Sequence, residues 1–136
     1  MSIPSVLKRQ VMARAKRRCE YCGLAQAGQE AAFHIDHIIP VVAGGGTLPE
    51  NLALACVSCS LRKGARSDAL DPLTREKVNL FHPRRQRWAD HFVWRGCHVQ
   101  GTSHTGRATV AALRLNRTLM VEIRAEEAIL GRHPPP

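Results

Sequence analysis

At 136 residues, with 44% apolar side chains and a net charge of +9, the chain is sized for one folded domain and is too apolar to be disordered throughout. No run approaches the roughly 20 apolar residues of a membrane span, and the first residues lack the apolar segment of a secretory leader. Five cysteines, an odd number, argue against a complete disulfide framework, and the positive charge favours a polyanionic partner.

Aromatic residues make up only 4% of the chain, so a core short of large rings gains from a metal staple. Pro4 suits a first helical turn, and Ile3, Leu7, Val11 and Ala15 recur at i+4. A helix over about residues 4–17 is therefore expected. The first eighteen residues also hold Lys8, Arg9, Arg14, Lys16, Arg17 and Arg18 without a single acid, which reads as a nucleic-acid contact or a solvated face. Cys19-x-x-Cys22 follows, with Gly23 placed for a tight turn. Phe33 to Ile39 alternates towards a strand that Pro40 ends, Gly44-Gly45-Gly46 makes a turn, and Leu52 to Ala55 returns to Cys56-x-x-Cys59. A helix after Cys59 would carry Arg62, Lys63 and Arg66.

Beyond the turn signal Asp71-Pro72, Leu80-Phe81-His82, His91 to Trp94 and His98 to Gln100 read as short strands, with the basic run Arg84, Arg85 and Arg87 between the first two. Helices over about 106–114 and 118–130 close the chain, the second with Leu119, Ile123 and Leu130 inward and Gly131 as its cap. Pro134 to Pro136 form a tail. Trp88 and Trp94 read as core, and Cys97 as a small buried apolar residue. With no repeat and no long linker, the expectation is a single domain with a motif core at about 19–64 and a C-terminal extension at about 70–131.

Two C-x-x-C pairs supply four thiolates for a tetrahedral, structural Zn²⁺. The thirty-three residues between Cys22 and Cys56 exceed a short zinc ribbon, so a folded insert lies between the pairs. That insert holds His34, Asp36, His37 and Asn51. Asp36 offers a hard oxygen for Mg²⁺ or Mn²⁺, and His37 offers a base titrating near neutrality. Asn51, after Pro49-Glu50, also suits plain turn or cap duty. The triple glycine lacks the Lys-Ser/Thr of a phosphate-binding loop and is read as the hairpin turn.

The run His34-Ile35-Asp36-His37-Ile38-Ile39-Pro40, the glycine turn, Asn51-Leu52 and Cys56-x-x-Cys59 with Lys63 resemble the HNH endonuclease family, over roughly residues 19–64. Asp71 to Thr74, Leu80 to Arg84, Trp88-x-x-His91-Phe92 and Gly106 to Thr109 are similar to a bacterial subset of it. The resemblance implies an α+β fold: a ββα-metal core (His-Me finger, treble-clef-like) with structural zinc and a C-terminal α/β extension. It implies hydrolysis of DNA phosphodiester bonds, with His37 as general base, Asp36 holding a divalent cation and Asn51 ordering the loop that fixes His37.

The residue after the last cysteine is usually His or Asn in this family; here it is Ser60. A hydroxyl is a weaker ligand than imidazole, so His34, on the same strand face as Asp36, is a candidate to assist, as is His82. Arg62, Lys63, Arg66, Arg84 and Arg85 are expected to contact phosphates, which position DNA without reading its sequence. The alternative is a zinc-dependent nucleic-acid-binding module without turnover, for which Ser60 argues and the trio of Asp36, His37 and Asn51 argues against. The remaining expectations are a cytoplasmic monomer or homodimer, with no membrane partner and no small-molecule cofactor.

Overall fold

The computed structural model describes residues 2–136 and divides into two compact units, Met1–Ser67 and Asp68–Pro136, with no linker between their bounds. The fold is mixed: among the described residues, short helices with three two-stranded antiparallel sheets.

In the first unit, helix α1 (Ser5–Arg14) starts after Pro4 and stops short of the expected residue 17. Lys16 and Arg17 take left-handed φ values of 53° and 54°, which end the helix and turn the chain into the first cysteine pair. Strand β1 (His34–His37) pairs with β2 (Leu52–Ala55), setting Ile35 opposite Leu54 and Asp36 opposite Ala53. Period-2 alternation divides their side chains between two faces. Leu52 and Leu54 pack with Val11 of α1, joined by Leu7, Met12, Phe33 and Ile35. Full burial of each of those three contributes roughly 1.5–3 kcal/mol. The other face presents His34 and Asp36, with the small Ala53 and Ala55 opposite them, to helix α2 (Val57–Lys63). Arg14 ties the end of α1 to the hairpin through the carbonyls of Pro49 (2.9 Å) and Leu52 (2.7 Å).

In the second unit, β3 (Asp68–Leu70) and β4 (Lys77–Asn79) form one hairpin, β5 (Phe92–Arg95) and β6 (His98–Gly101) another, followed by α3 (His104–Ala112) and α4 (Thr118–Ile129). Asp71, fully buried, builds the β3–β4 turn by accepting from the Leu73 amide, the Thr74 hydroxyl and two nitrogens of Arg107 at 3.0 and 2.8 Å.

Several expectations need correction here. Leu80-Phe81-His82 is buried but irregular, and the strand lies just upstream at Lys77–Asn79. Leu119 on α4 and Leu130 just past its end are exposed. Its buried stripe is Met120, Arg124 and Glu127, because Arg124 lies over Trp94 and binds the Cys97 carbonyl while Glu127 pairs with Arg132. Cys97 is half-buried in the β5–β6 turn. Trp88 and Trp94 are half-buried too, stacked on one another at 5.1 Å, with Trp88 also against Phe92 at 4.9 Å.

Candidate metal centre and active-site cleft

Cys19 and Cys22 lie in the turn after α1, where Gly23 (φ 78°) returns its amide to the Cys19 carbonyl. Cys56 is the N-cap of α2, and Cys59 lies in its first turn. Each pair is shaped by an amide-to-sulfur hydrogen bond of 3.4 Å, from Cys22 to the Cys19 sulfur and from Cys59 to the Cys56 sulfur. All four thiols are free and buried, with their sulfurs within 4.8 Å of one another. The Cys22 and Cys56 sulfurs are 3.7 Å apart. A tetrahedral zinc with bonds of about 2.3 Å requires sulfurs about 3.8 Å apart, so the cluster fits that ion. Hydrogen bonds from Cys19, Cys22 and Cys59 hold the Cys56 thiol far below its ordinary value, while Cys22 and Cys59 are pushed well above theirs, first by Cys19. Four thiolates this close are compatible only around a cation.

The first pair is fastened to the hairpin. Glu20 takes both backbone groups of Leu54: its amide donates to the Leu54 carbonyl and its carboxylate accepts from the Leu54 amide, each at 2.8 Å. Tyr21, the chain's single tyrosine, donates its hydroxyl to Asp36 Oδ2 at 2.8 Å.

Asp36 is 8% exposed and has a second partner, Lys63, whose Nζ is 3.2 Å from Oδ2 and 3.5 Å from Oδ1. Burial raises the Asp36 pKa from its ordinary value, against the pull of the Lys63 charge and the Tyr21 hydrogen bond. Burial, with the Asp36 charge, also pushes the Tyr21 phenol well up, which keeps it a donor.

Lys63 corrects an expectation. It is 1% exposed, with its ammonium on Asp36 and on the His37 carbonyl (3.1 Å), and it is not available to DNA. Arg62 is half-buried against Ser58, and Arg66 is exposed. Arg84 and Arg85 belong to the second unit, where Arg85 is exposed and Arg84 half-buried.

His37 Nε2 lies 2.9 Å from the Thr47 hydroxyl. Asn51 is buried and pins the loop between the strands: Oδ1 accepts from the Ile39 amide, and Nδ2 donates to the carbonyls of Ile39 (3.0 Å) and Gly46 (2.9 Å). Gly45 permits that fold, since a Cβ there would lie 1.8 Å from the Ile39 carbonyl oxygen. His34, exposed on β1, meets the Ser60 hydroxyl at 2.8 Å through Nδ1.

A cleft of about 770 Å³ brings His34, Asp36, His37 and Ser60 together, with Lys8 and Val42 on its walls. Asp36 and Ser60 offer oxygen donors of the type a hard divalent cation takes, and His34 adds a borderline imidazole nitrogen. His82 is occupied elsewhere, its Nδ1 accepting the amides of Arg84 and Arg85 in the second unit. Among the described residues no second group of three or more His, Cys, Asp or Glu donors converges, and no helix is long and apolar enough to cross a membrane.

Sequence reading missed Tyr21, Glu20, Thr47 and the place of Lys8. Tyr21 carried a signal: the one tyrosine of an aromatic-poor chain sits between two metal-ligating cysteines.

Residues 19–66 match the family model for HNH endonuclease. No curated protein and no solved structure matches the chain.

Proposed function

We propose, from the HNH endonuclease match over residues 19–66, that this protein is a divalent-metal-dependent endonuclease that hydrolyses DNA phosphodiester bonds. The β1–β2 hairpin and α2 would be its ββα-metal core, stapled by zinc on Cys19, Cys22, Cys56 and Cys59. The observation that carries this reading is the meeting of Asp36 and His37 in one cleft beside the cysteine cluster. Binding alone requires neither a buried acid nor an oriented imidazole.

His37 is the general base. In the tautomer whose Nε2–H donates to Thr47, the lone pair of Nδ1 has no partner among the described residues and can take a proton from water. Asn51 and Gly45 hold the loop that carries Thr47, and so orient the ring through it. Asp36, with Ser60 and His34 beside it, would hold a Mg²⁺ or Mn²⁺ ion, which supplies charge against the negative charge developing on the phosphate. Arg62 and Arg66, with Arg84 and Arg85 of the second unit, would contact phosphates. One site per chain favours nicking unless two copies associate. Four cysteines held by zinc and a fifth outside any disulfide would suit a reducing cytoplasm.

The test is cleavage of supercoiled plasmid with Mg²⁺, Mn²⁺ or EDTA, beside His37→Ala. Nicking that requires a cation and falls about 10²-fold or more in the variant is expected for loss of a general base. If both proteins bind DNA equally and neither cuts it with any of these metals, the nuclease reading is wrong.

A further inference from the structure

We propose that Tyr21 is a positioning residue for the Asp36 carboxylate, so that the zinc knuckle sets the geometry of the cleft as well as stapling the fold. The proposal rests on the nuclease reading above.

A carboxylate on a strand can turn about its last bond, and its two oxygens are equivalent until a partner distinguishes them. Lys63 hardly does so. Its ammonium is a compact charge, 3.2 Å from one oxygen and 3.5 Å from the other. Tyr21 does, because its hydroxyl bonds Oδ2 at 2.8 Å and leaves Oδ1, among the described residues, with only the long Lys63 contact. Oδ1 is therefore the oxygen left for a ligand in the cleft that Asp36 lines.

The hydroxyl can hold that place only because the tyrosine itself is fixed. Its ring is 1% exposed, and its neighbours Cys19 and Cys22 belong to the metal cluster. The preceding residue, Glu20, clamps the knuckle to β2 through both backbone groups of Leu54, and Leu54 lies opposite Ile35, next to Asp36 on β1. Two links therefore run from the knuckle into the hairpin, one through the backbone of β2 and one straight to the acid.

Tyr21→Phe removes the hydroxyl and keeps the buried ring. Three quantities are measured on the zinc-loaded protein: zinc per chain, Mn²⁺ affinity by electron paramagnetic resonance, and the kcat and KM of plasmid nicking. The variant is expected to keep its zinc and its KM for DNA. Mn²⁺ affinity and kcat should each fall about 10–100-fold, as when a partner that orients a metal ligand is lost. p-Aminophenylalanine at position 21, which restores an N–H donor, should recover most of both.

A purely structural tyrosine would lower the melting temperature and leave Mn²⁺ affinity and kcat unchanged, and that result overturns the proposal while the nuclease reading stands. Failure of the amino analogue to recover affinity also overturns it. If Mn²⁺ binding weakens in Tyr21→Phe but the wild type cuts no DNA, the positioning role holds and the nuclease reading falls. A wild type that neither binds Mn²⁺ nor cuts removes both.

Discussion

Replacing Lys63 with methionine removes the ammonium beside Asp36 and leaves a carboxylate that is 8% exposed, with Tyr21 as its one remaining hydrogen-bond donor among the described residues. Removing one partner of a buried ion pair typically costs 3–5 kcal/mol, far more than the roughly 0–1 kcal/mol of a surface pair. Lys63→Met is therefore expected to lose about 3–5 kcal/mol in chemical denaturation of the zinc-loaded protein, and Arg66→Ala, at an exposed position, less than about 1 kcal/mol. Equal losses for the two would mean that the Lys63 pair adds nothing to stability. The sequence held a clue to this difference. Lys63 follows Cys59 by four residues, which puts the two on one helix face, and Cys59 had to face inward to bind metal. Reading Arg62, Lys63 and Arg66 as one basic patch overlooked that adjacent helical residues point about 100° apart. The cysteine cluster was legible because metal binding needs thiols at short spacings, and Asp36 and His37 share a cleft because they are adjacent in the chain. Tyr21 and Glu20 were not legible, since each acts on a residue at least fifteen positions away.

Among the elements, the β1–β2 hairpin was readable because apolar alternation, Pro40 and the glycine turn all agree with it, and α2 because a cysteine pair opens it. The β3–β4 hairpin was not. Its strands are three residues each, and its turn depends on Arg107, thirty-six residues further on. That dependence makes the turn sensitive to acid. The two hydrogen bonds from Arg107 hold the Asp71 carboxyl well below the usual carboxylate range. A depressed pKa in the folded state means that the contribution is complete above the unfolded value near 3.9 and is lost as pH falls below it. Asp71→Asn should thus be less stable than the wild type at pH 7, with the difference shrinking below about pH 4. Both tryptophans lie in this unit, so their fluorescence during denaturation reports on it directly. A difference that stays constant from pH 7 to pH 3 would show that the pair with Arg107 does not form in solution.

At the scale of the whole molecule, the net charge of +9 was plain from composition, but its distribution needed the fold. One of the five cations first assigned to DNA is buried, and the rest are divided between the units: Arg62 and Arg66 in the first, Arg84 and Arg85 in the second. Salt dependence can count which of them touch phosphate, because each contact releases condensed counterions and adds about 0.9 to the slope of log affinity against log salt for duplex DNA. Arg66→Ala and Arg85→Ala are both exposed-site changes. If a duplex engages both units, each variant should lower the slope by about 0.9, and the double variant by about 1.8, without altering the zinc content. Measured with EDTA present during a short binding assay, cleavage does not interfere. A slope that falls only for Arg66→Ala would confine the DNA to the unit that carries the cleft, and the C-terminal unit would then need a role other than phosphate contact.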